Sequence, residues 1–298
     1  MVTAARRQTA VMTVVYAETS RDVVTVSGPD AVSYLQGQLS QDVAALAPGD
    51  VTWSFVLAPQ GKVDGWGRVL RVDDHTMQID VDHGAGSAWE ARLRRFLLRT
   101  KAEIQVVHDV ATLAVRGAEV AGGLAAGWPG DPGTDLLGVG LVLGDEEPEA
   151  ALPADLPAGA AHVEVEAFEA RRIRAGLPRW GAELDAETIP ATVGQWAIDA
   201  SVSFTKGCFT GQELVARIDS RGGNVPRRLA GVVIDGPPPA PGTQITVDGA
   251  PAGTVTSSAP EPDGRSVALA FVPRAIELPA SADVAGTPAH LTTLPIEP

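Results

Sequence analysis

The stretch Thr205–Arg217, TKGCFTGQELVAR, holds the one cysteine of a 298-residue chain. A cysteine does chemistry as its thiolate, so what surrounds it decides whether it reacts. Thr210 and Glu213 have the capping-box spacing, which predicts a helix opening at Thr210. Leu214, Val215 and Ile218 give that helix an apolar side, and Gly222 and Gly223 end it. Glu213 stands four residues before Arg217, the favourable order for a helical ion pair. Cys208 would then lie just ahead of a helix N-terminus, with Lys206 two residues away. The helix dipole and a nearby ammonium both favour thiolate over thiol. Residue types alone leave two readings open: a reactive or anion-binding thiolate, and a small buried apolar side chain. The five histidines, His75, His83, His108, His162 and His290, show no metal-ligand spacing and none adjoins Cys208. Neither a Cys–His pair nor a metal site is expected.

Charge narrows the partners. The formal net charge is −14, which disfavours nucleic acid and anionic membrane as general partners. Yet 14 of the 23 basic residues fall in three islands, Arg92–Lys101, Arg171–Arg179 and Lys206–Arg228. Concentrated cations on an acidic chain suit a small anion, or else solvated helix faces. A single cysteine makes no internal disulfide, which fits a reducing compartment. No apolar run approaches transmembrane length. The N-terminal Arg6-Arg7 and the short apolar run after it are interrupted by Thr13, so a flexible start into a first strand is expected, in a cytoplasmic protein.

The elements that must position these residues are of both kinds. DVVTVSG reads as a strand, followed by a short helix AVSYLQGQL with Asp30 at its cap. VTWSFVL, VDGWGRVLRV and TMQIDV form an antiparallel run. Ser87 and Glu90 have capping-box spacing ahead of the helix AWEARLRRFLLR. KAEIQVVH and ATLAVRG are two more strands. Asp145–Gly159, rich in Pro, Ala and acids, is an exposed connection. VEAFEARRIRA is a helix that Gly176 stops. GLPRWGAELDAETIPATVG has little regular period, and long irregular stretches inside domains are often functional. After Pro226 only short strands and Pro- or Asp-Gly turns remain, which predicts a small β-barrel. The fold class is α+β, with expected domains 1–110, 111–225 and 226–298.

KGCFTGQE resembles the KGC-aromatic-x-GQE signature of the folate-binding YgfZ-type family, which is related to the aminomethyltransferase (T-protein) of the glycine cleavage system. VSGPDAVSYLQGQLSQDV, the turn and strand from Leu57 to Leu70, ARRIRAGLPRWGAELDAETIP and RRLAGV are similar to further parts of that family. The resemblance runs from about Val23 to Val272. It implies a ring-like arrangement of two α+β, ferredoxin-like subdomains with a C-terminal small barrel, and a central channel that binds tetrahydrofolate or a derivative. It implies an accessory role in iron–sulfur cluster assembly or repair, with iron–sulfur proteins or their assembly factors as partners. The alternative is a folate-dependent aminomethyl- or methyltransferase of the T-protein type. A third is a module that binds folate without chemistry.

On this resemblance Cys208, Asp64 and Lys206 are the candidate catalytic residues. Trp66, Arg174, Trp196, Phe209, Gln212, Glu213 and Arg217 are candidate folate contacts. A pterin needs an apolar slot with a polar edge, for which Trp66, Trp180, Trp196 and Phe209 are candidate walls, and the anionic glutamate tail needs arginine or lysine. Asp64 matches an acid that assists proton movement in the transferase branch. Its alternation with Val63 and Gly65 equally suits a polar residue on a strand's wet face. Two departures stand out. The transferase pattern R-x-E-A-G reads Arg172-Ile173-Arg174-Ala175-Gly176 here, and an arginine accepts no pterin N–H. Ile189-Pro190 is followed by Ala191 and Thr192, where relatives often carry polar or acidic residues.

Overall fold

The structure is a computed structural model that describes residues 13–138 and 156–297. The expected flexible start lies almost wholly outside the described residues, as does most of the Asp145–Gly159 connection. In chain order the first elements are β1 (Val15–Ser27), α1 (Ala31–Gln38), β2 (Val51–Leu57), β3 (Val63–Arg71), β4 (Thr76–Asp82), α2 (Gly86–Arg94) and β5 (Glu103–Arg116). Next come β6 (Leu124–Ala125), β7 (Gly133–Leu137), β8 (Ala161–His162), α3 (Val165–Ala175), a 3-10 turn (Pro190–Val193), α4 (Gln195–Ser201) and α5 (Gln212–Asp219). The chain closes with β9 (Arg227–Ile234), β10 (Gln244–Val247), β11 (Ala250–Pro260), β12 (Ser266–Pro273), β13 (Ala280–Val284) and β14 (Thr287–Thr292).

The first seven strands form one antiparallel sheet in the order β2-β3-β4-β1-β5-β7-β6, and β8 adds to β1 in parallel. The strand expected at DVVTVSG is longer, because Val15–Ser20 pairs with the second half of β5. The two strands expected at KAEIQVVH and ATLAVRG are that one β5. It bends at Asp109, which takes φ 55. The expected division at 110/111 therefore falls inside β5, and the N-terminal and central regions share a sheet. The last six strands close into a barrel, β10-β11-β12-β9-β14-β13. The fold is mixed α+β with a C-terminal barrel, as expected.

Alternation along the strands sends two cores to opposite faces. Val24, Val26, Val69, Ile79 and Val81 pack with Leu35 of α1, Leu39 just after it, and Trp89 and Leu93 of α2. On the other face Trp53, Phe55 and Trp66 meet Ile173, Ile198, Val202 and Phe209, together with Leu229, Val267 and Leu269 of the barrel. Arg174 of α3 reinforces that joint by an ion pair to Glu261 at 2.5 Å. No helix among the described residues is long and apolar enough to cross a membrane.

Helix starts depart from the expected caps. α2 opens after Ala85, so Ser87 sits inside the first turn and caps nothing. α5 opens after Gly211 at φ 81, and Thr210 makes no cap. Asp30 does precede α1, but its carboxylate accepts the Lys101 N–H at 2.8 Å and ties α1 to the entrance of β5.

Candidate functional site

The hairpin of β2 and β3 builds an aromatic wall. Its register sets Trp53 opposite Arg68 and Phe55 opposite Trp66. The Trp53 and Trp66 rings stack at 4.1 Å with an 18° interplanar angle, and Trp196 meets Trp66 edge-on at 6.0 Å. Trp66 Nε1 donates to Ser201 Oγ at 2.8 Å, which fixes the indole. Beyond this wall lies a cavity of about 670 Å³. Trp53 and Trp66 line one side, Trp128 and Phe168 another, and Pro178, Arg179 and Trp180 of the irregular stretch after α3 lie along its edge.

The cavity floor carries alternating charge. Arg21 binds Asp80 and Asp82, Arg68 binds Asp80 and Asp135, and Arg116 binds Asp135 at 2.7 Å. Burial works to raise the Asp135 carboxyl, but Arg116 and Arg68 outweigh it and hold it down at about 2. The Arg116 guanidinium lies 3.8 Å from the centre of the Trp128 ring. Two buried polar atoms of lining residues, Arg116 Nε and Ser20 Oγ, have no hydrogen-bond partner among the described residues. Such orphans are what a polar ligand completes. Arg179, paired with Glu169 at 3.3 Å, is the most exposed of these cations.

The cysteine loop is built against the same hairpin. Gly61 of the β2–β3 turn and Gly211 touch: a Cβ on Gly211 would stand 2.5 Å from the Ala58 carbonyl oxygen, and both glycines have φ near 80. Only glycine accepts that conformation and that approach together. Lys206 is buried, and its ammonium donates to the carbonyls of Gln36, Leu39 and Gln41 at 2.6, 2.7 and 2.9 Å. Burial pushes its pKa down to about 8, partly offset by Asp42, so at neutral pH it keeps its three donors. Cys208 is exposed. The reading of a small buried apolar thiol is thereby removed.

Comparison with known proteins matches this architecture. Residues 227–295 match the family described as the glycine cleavage T-protein C-terminal barrel domain. The "tRNA-modifying protein YgfZ" of Edwardsiella ictaluri is 31% identical over 218 residues, 67% of this chain and 65% of that protein. The chain thus spans just under two thirds of that relative's length. The aminomethyltransferase of Thermus thermophilus is 29% identical over 304 residues, 92% of this chain and 84% of its own. The crystal structure of glycine cleavage system aminomethyltransferase T from Bartonella henselae superimposes with TM-score 0.73 at 18% identity, covering 96% of this chain and 86% of that one. The chain is a YgfZ-type member of the glycine cleavage T-protein superfamily.

Set on that superfamily fold, the expected site residues separate. Of the ten, Trp66 alone lines the cavity among the described residues, with Trp196 packed behind it. Asp64 is the extra residue of a β-bulge: Val56 pairs with Gly65 and Leu57 with Val63, so Asp64 has no partner. Val63 and Trp66 consequently face the same core, and the simple alternation fails. The Asp64 carboxylate is instead held by Arg92 Nε at 2.8 Å, outside the cavity lining. Lys206 is committed to the end of α1 and is a clamp, not a partner free to act on Cys208. Arg174, standing where the transferase branch has its pterin glutamate, is taken by Glu261 at the barrel joint. Phe209 is core, and Gln212 Oε1 accepts the Phe209 N–H at 3.3 Å to close the cysteine loop. Glu213 and Arg217 are exposed and form no ion pair among the described residues. Sequence reasoning missed Trp53, Trp128 and Arg116. The hairpin register was the available signal for Trp53; the other two depend on β5 and β7 arriving beside it.

Proposed function

We propose that the aromatic cavity binds one reduced folate, tetrahydrofolate or a derivative, and that the protein is a folate-binding accessory factor in iron–sulfur cluster assembly or repair. One observation carries the reading: a cavity of about 670 Å³, walled by indoles, whose lining residues hold two polar atoms, Arg116 Nε and Ser20 Oγ, that have no partner among the described residues. The volume suits a drug-sized ligand. Indole faces suit a flat pteridine. Glu18, Asp82 and Glu169 on the lining are acceptors for its amide and amino edge, in place of the acid missing at Arg174. Arg179 at the edge suits an anionic tail.

Cys208 is the group that meets the iron–sulfur client or its assembly factor. Its exposure supports this, and so does its loop, which rests on the turn of the hairpin that carries Trp53 and Trp66. A folate stacked on that hairpin and a client at Cys208 would each sense the other through Gly61 and Gly211. A reducing, cytoplasmic setting keeps such a thiol free. The name of the Edwardsiella relative, "tRNA-modifying protein", fits action through a protein client better than a direct grip on tRNA, given a net charge of −14.

The transferase reading rests on the similarity to the Thermus aminomethyltransferase along most of the chain. It is weakened by Asp64 lying under Arg92. Two assays separate the readings. Cys208→Ala should fail to restore iron–sulfur enzyme activity in a strain lacking this protein; restoration equal to wild type removes the thiol's role. In a glycine-cleavage assay the wild type should show no turnover, whereas turnover lost in Asp64→Asn would establish the transferase.

A further inference from the structure

A second bulge assembles a polar cluster that the folate reading leaves unused. The β1–β5 register passes from Arg21 opposite Val110 to Val23 opposite Val107, so Asp22 faces both His108 and Asp109. Asp109 takes φ 55, a left-handed conformation that aspartate tolerates. On the other side of β1, Arg21 pairs with Asp82 at the end of β4, and His83 follows in the turn. His83 Nδ1 lies 2.9 Å from Asp109 Oδ1 and 4.0 Å from Asp22 Oδ1. The ligand atoms of Asp22, His83 and Asp109 all fall within 4.8 Å of one another.

Asp22 is a buried carboxylate with one oxygen committed. Its Oδ2 accepts the N–H groups of Gly84 and Gly86 at 3.1 and 2.9 Å and faces His108 Nδ1 at 3.0 Å. Its Oδ1 meets one backbone N–H, that of Asp109 at 3.2 Å, and keeps a lone pair toward His83. One oxygen held by an outer histidine and the other turned to two exposed donors is the arrangement that orients a metal-binding carboxylate.

We propose that Asp22, His83 and Asp109 bind a divalent first-row transition-metal ion, with His108 as the outer partner of Asp22. Two carboxylates and one imidazole, with no thiolate, suit Zn²⁺, Mn²⁺ or Fe²⁺. Donors about 2.0–2.2 Å from a common ion stand roughly 3–4 Å apart, and His83 Nδ1 lies 2.9 Å from Asp109 Oδ1 and 4.0 Å from Asp22 Oδ1. His83 and Asp109 are exposed, so water completes the coordination. The site adjoins the cavity, because His83 also lines it.

The test titrates Zn²⁺ alone into the untagged full chain, followed by calorimetry and equilibrium dialysis. A Cys208→Ser background removes the competing thiol. One equivalent should bind in both wild type and Cys208→Ser. His83→Ala and Asp109→Asn should each weaken binding roughly tenfold or more, with the metal-free melting temperature unchanged. No Zn²⁺ uptake by the wild type, uptake abolished by Cys208→Ser, or affinity unchanged in both His83→Ala and Asp109→Asn would each overturn the assignment.

Discussion

Lys206 and Cys208 are two residues apart in the sequence and opposite in role. The lysine is buried with its three donors spent on α1, while the cysteine is exposed. Lys206→Met should therefore cost about 3 kcal/mol, since three charge-assisted hydrogen bonds go and carbonyls are left unmet, read as a lower melting temperature. Cys208→Ala should leave stability within about 0.5 kcal/mol while client support is lost. That contrast was not legible in TKGCFTGQE, where lysine and cysteine read as one reactive pair. The motif marked the right loop, because its glycine and lysine are what tie the loop to the hairpin turn and to α1. It gave no sign of which side chain turned inward. Asp64 was misread for a related reason: a bulge is defined against the partner strand and leaves no trace in one strand's own alternation.

At the level of elements, β3, β5 and β7 are cross-linked by Arg68, Arg116 and Asp135. The Asp135 carboxyl lies at about 2 rather than its ordinary 3.8. Burial opposes this shift and the two guanidinium groups drive it. A depressed carboxyl contributes stability that is complete above the unfolded-chain value and lost as pH falls through the folded one. Thermal unfolding followed by circular dichroism should show a melting temperature that drops between pH 4 and pH 2. Asp135→Asn should flatten that stretch and lower stability at neutral pH, because Arg116 would stay buried with its partner removed. An unchanged profile in the variant would remove Asp135 from this role. The strands themselves were largely legible from alternation and turns. β5 was read as two strands because Asp109 breaks the pattern, and α4 was missed because seven residues give too little period.

Across the whole molecule, the barrel is joined to the sheet by a shared apolar core and two polar staples. Arg174 reaches Glu261, and the buried Glu183 accepts from Thr256 and Ser257. Arg174→Ala should lower stability by about 1–3 kcal/mol and leave tetrahydrofolate affinity within about twofold, since the side chain lies at the barrel joint and not in the cavity. The barrel was legible from the loss of helical period after Pro226. The division at residue 110 was not, because a strand continues across it. The cavity was legible only in part, because its walls come from β1, β2, β3, β5, β7, α3 and the segment after α3, which meet only in three dimensions.

Calorimetric titration of tetrahydrofolate into the wild type, Trp180→Ala and Arg179→Ala, at low salt and under reducing conditions, decides whether the cavity is a folate site. One molecule should bind per chain, with roughly tenfold or greater loss of affinity in Trp180→Ala and a smaller loss in Arg179→Ala. No heat at saturating tetrahydrofolate, or binding that both variants leave untouched, would contradict it.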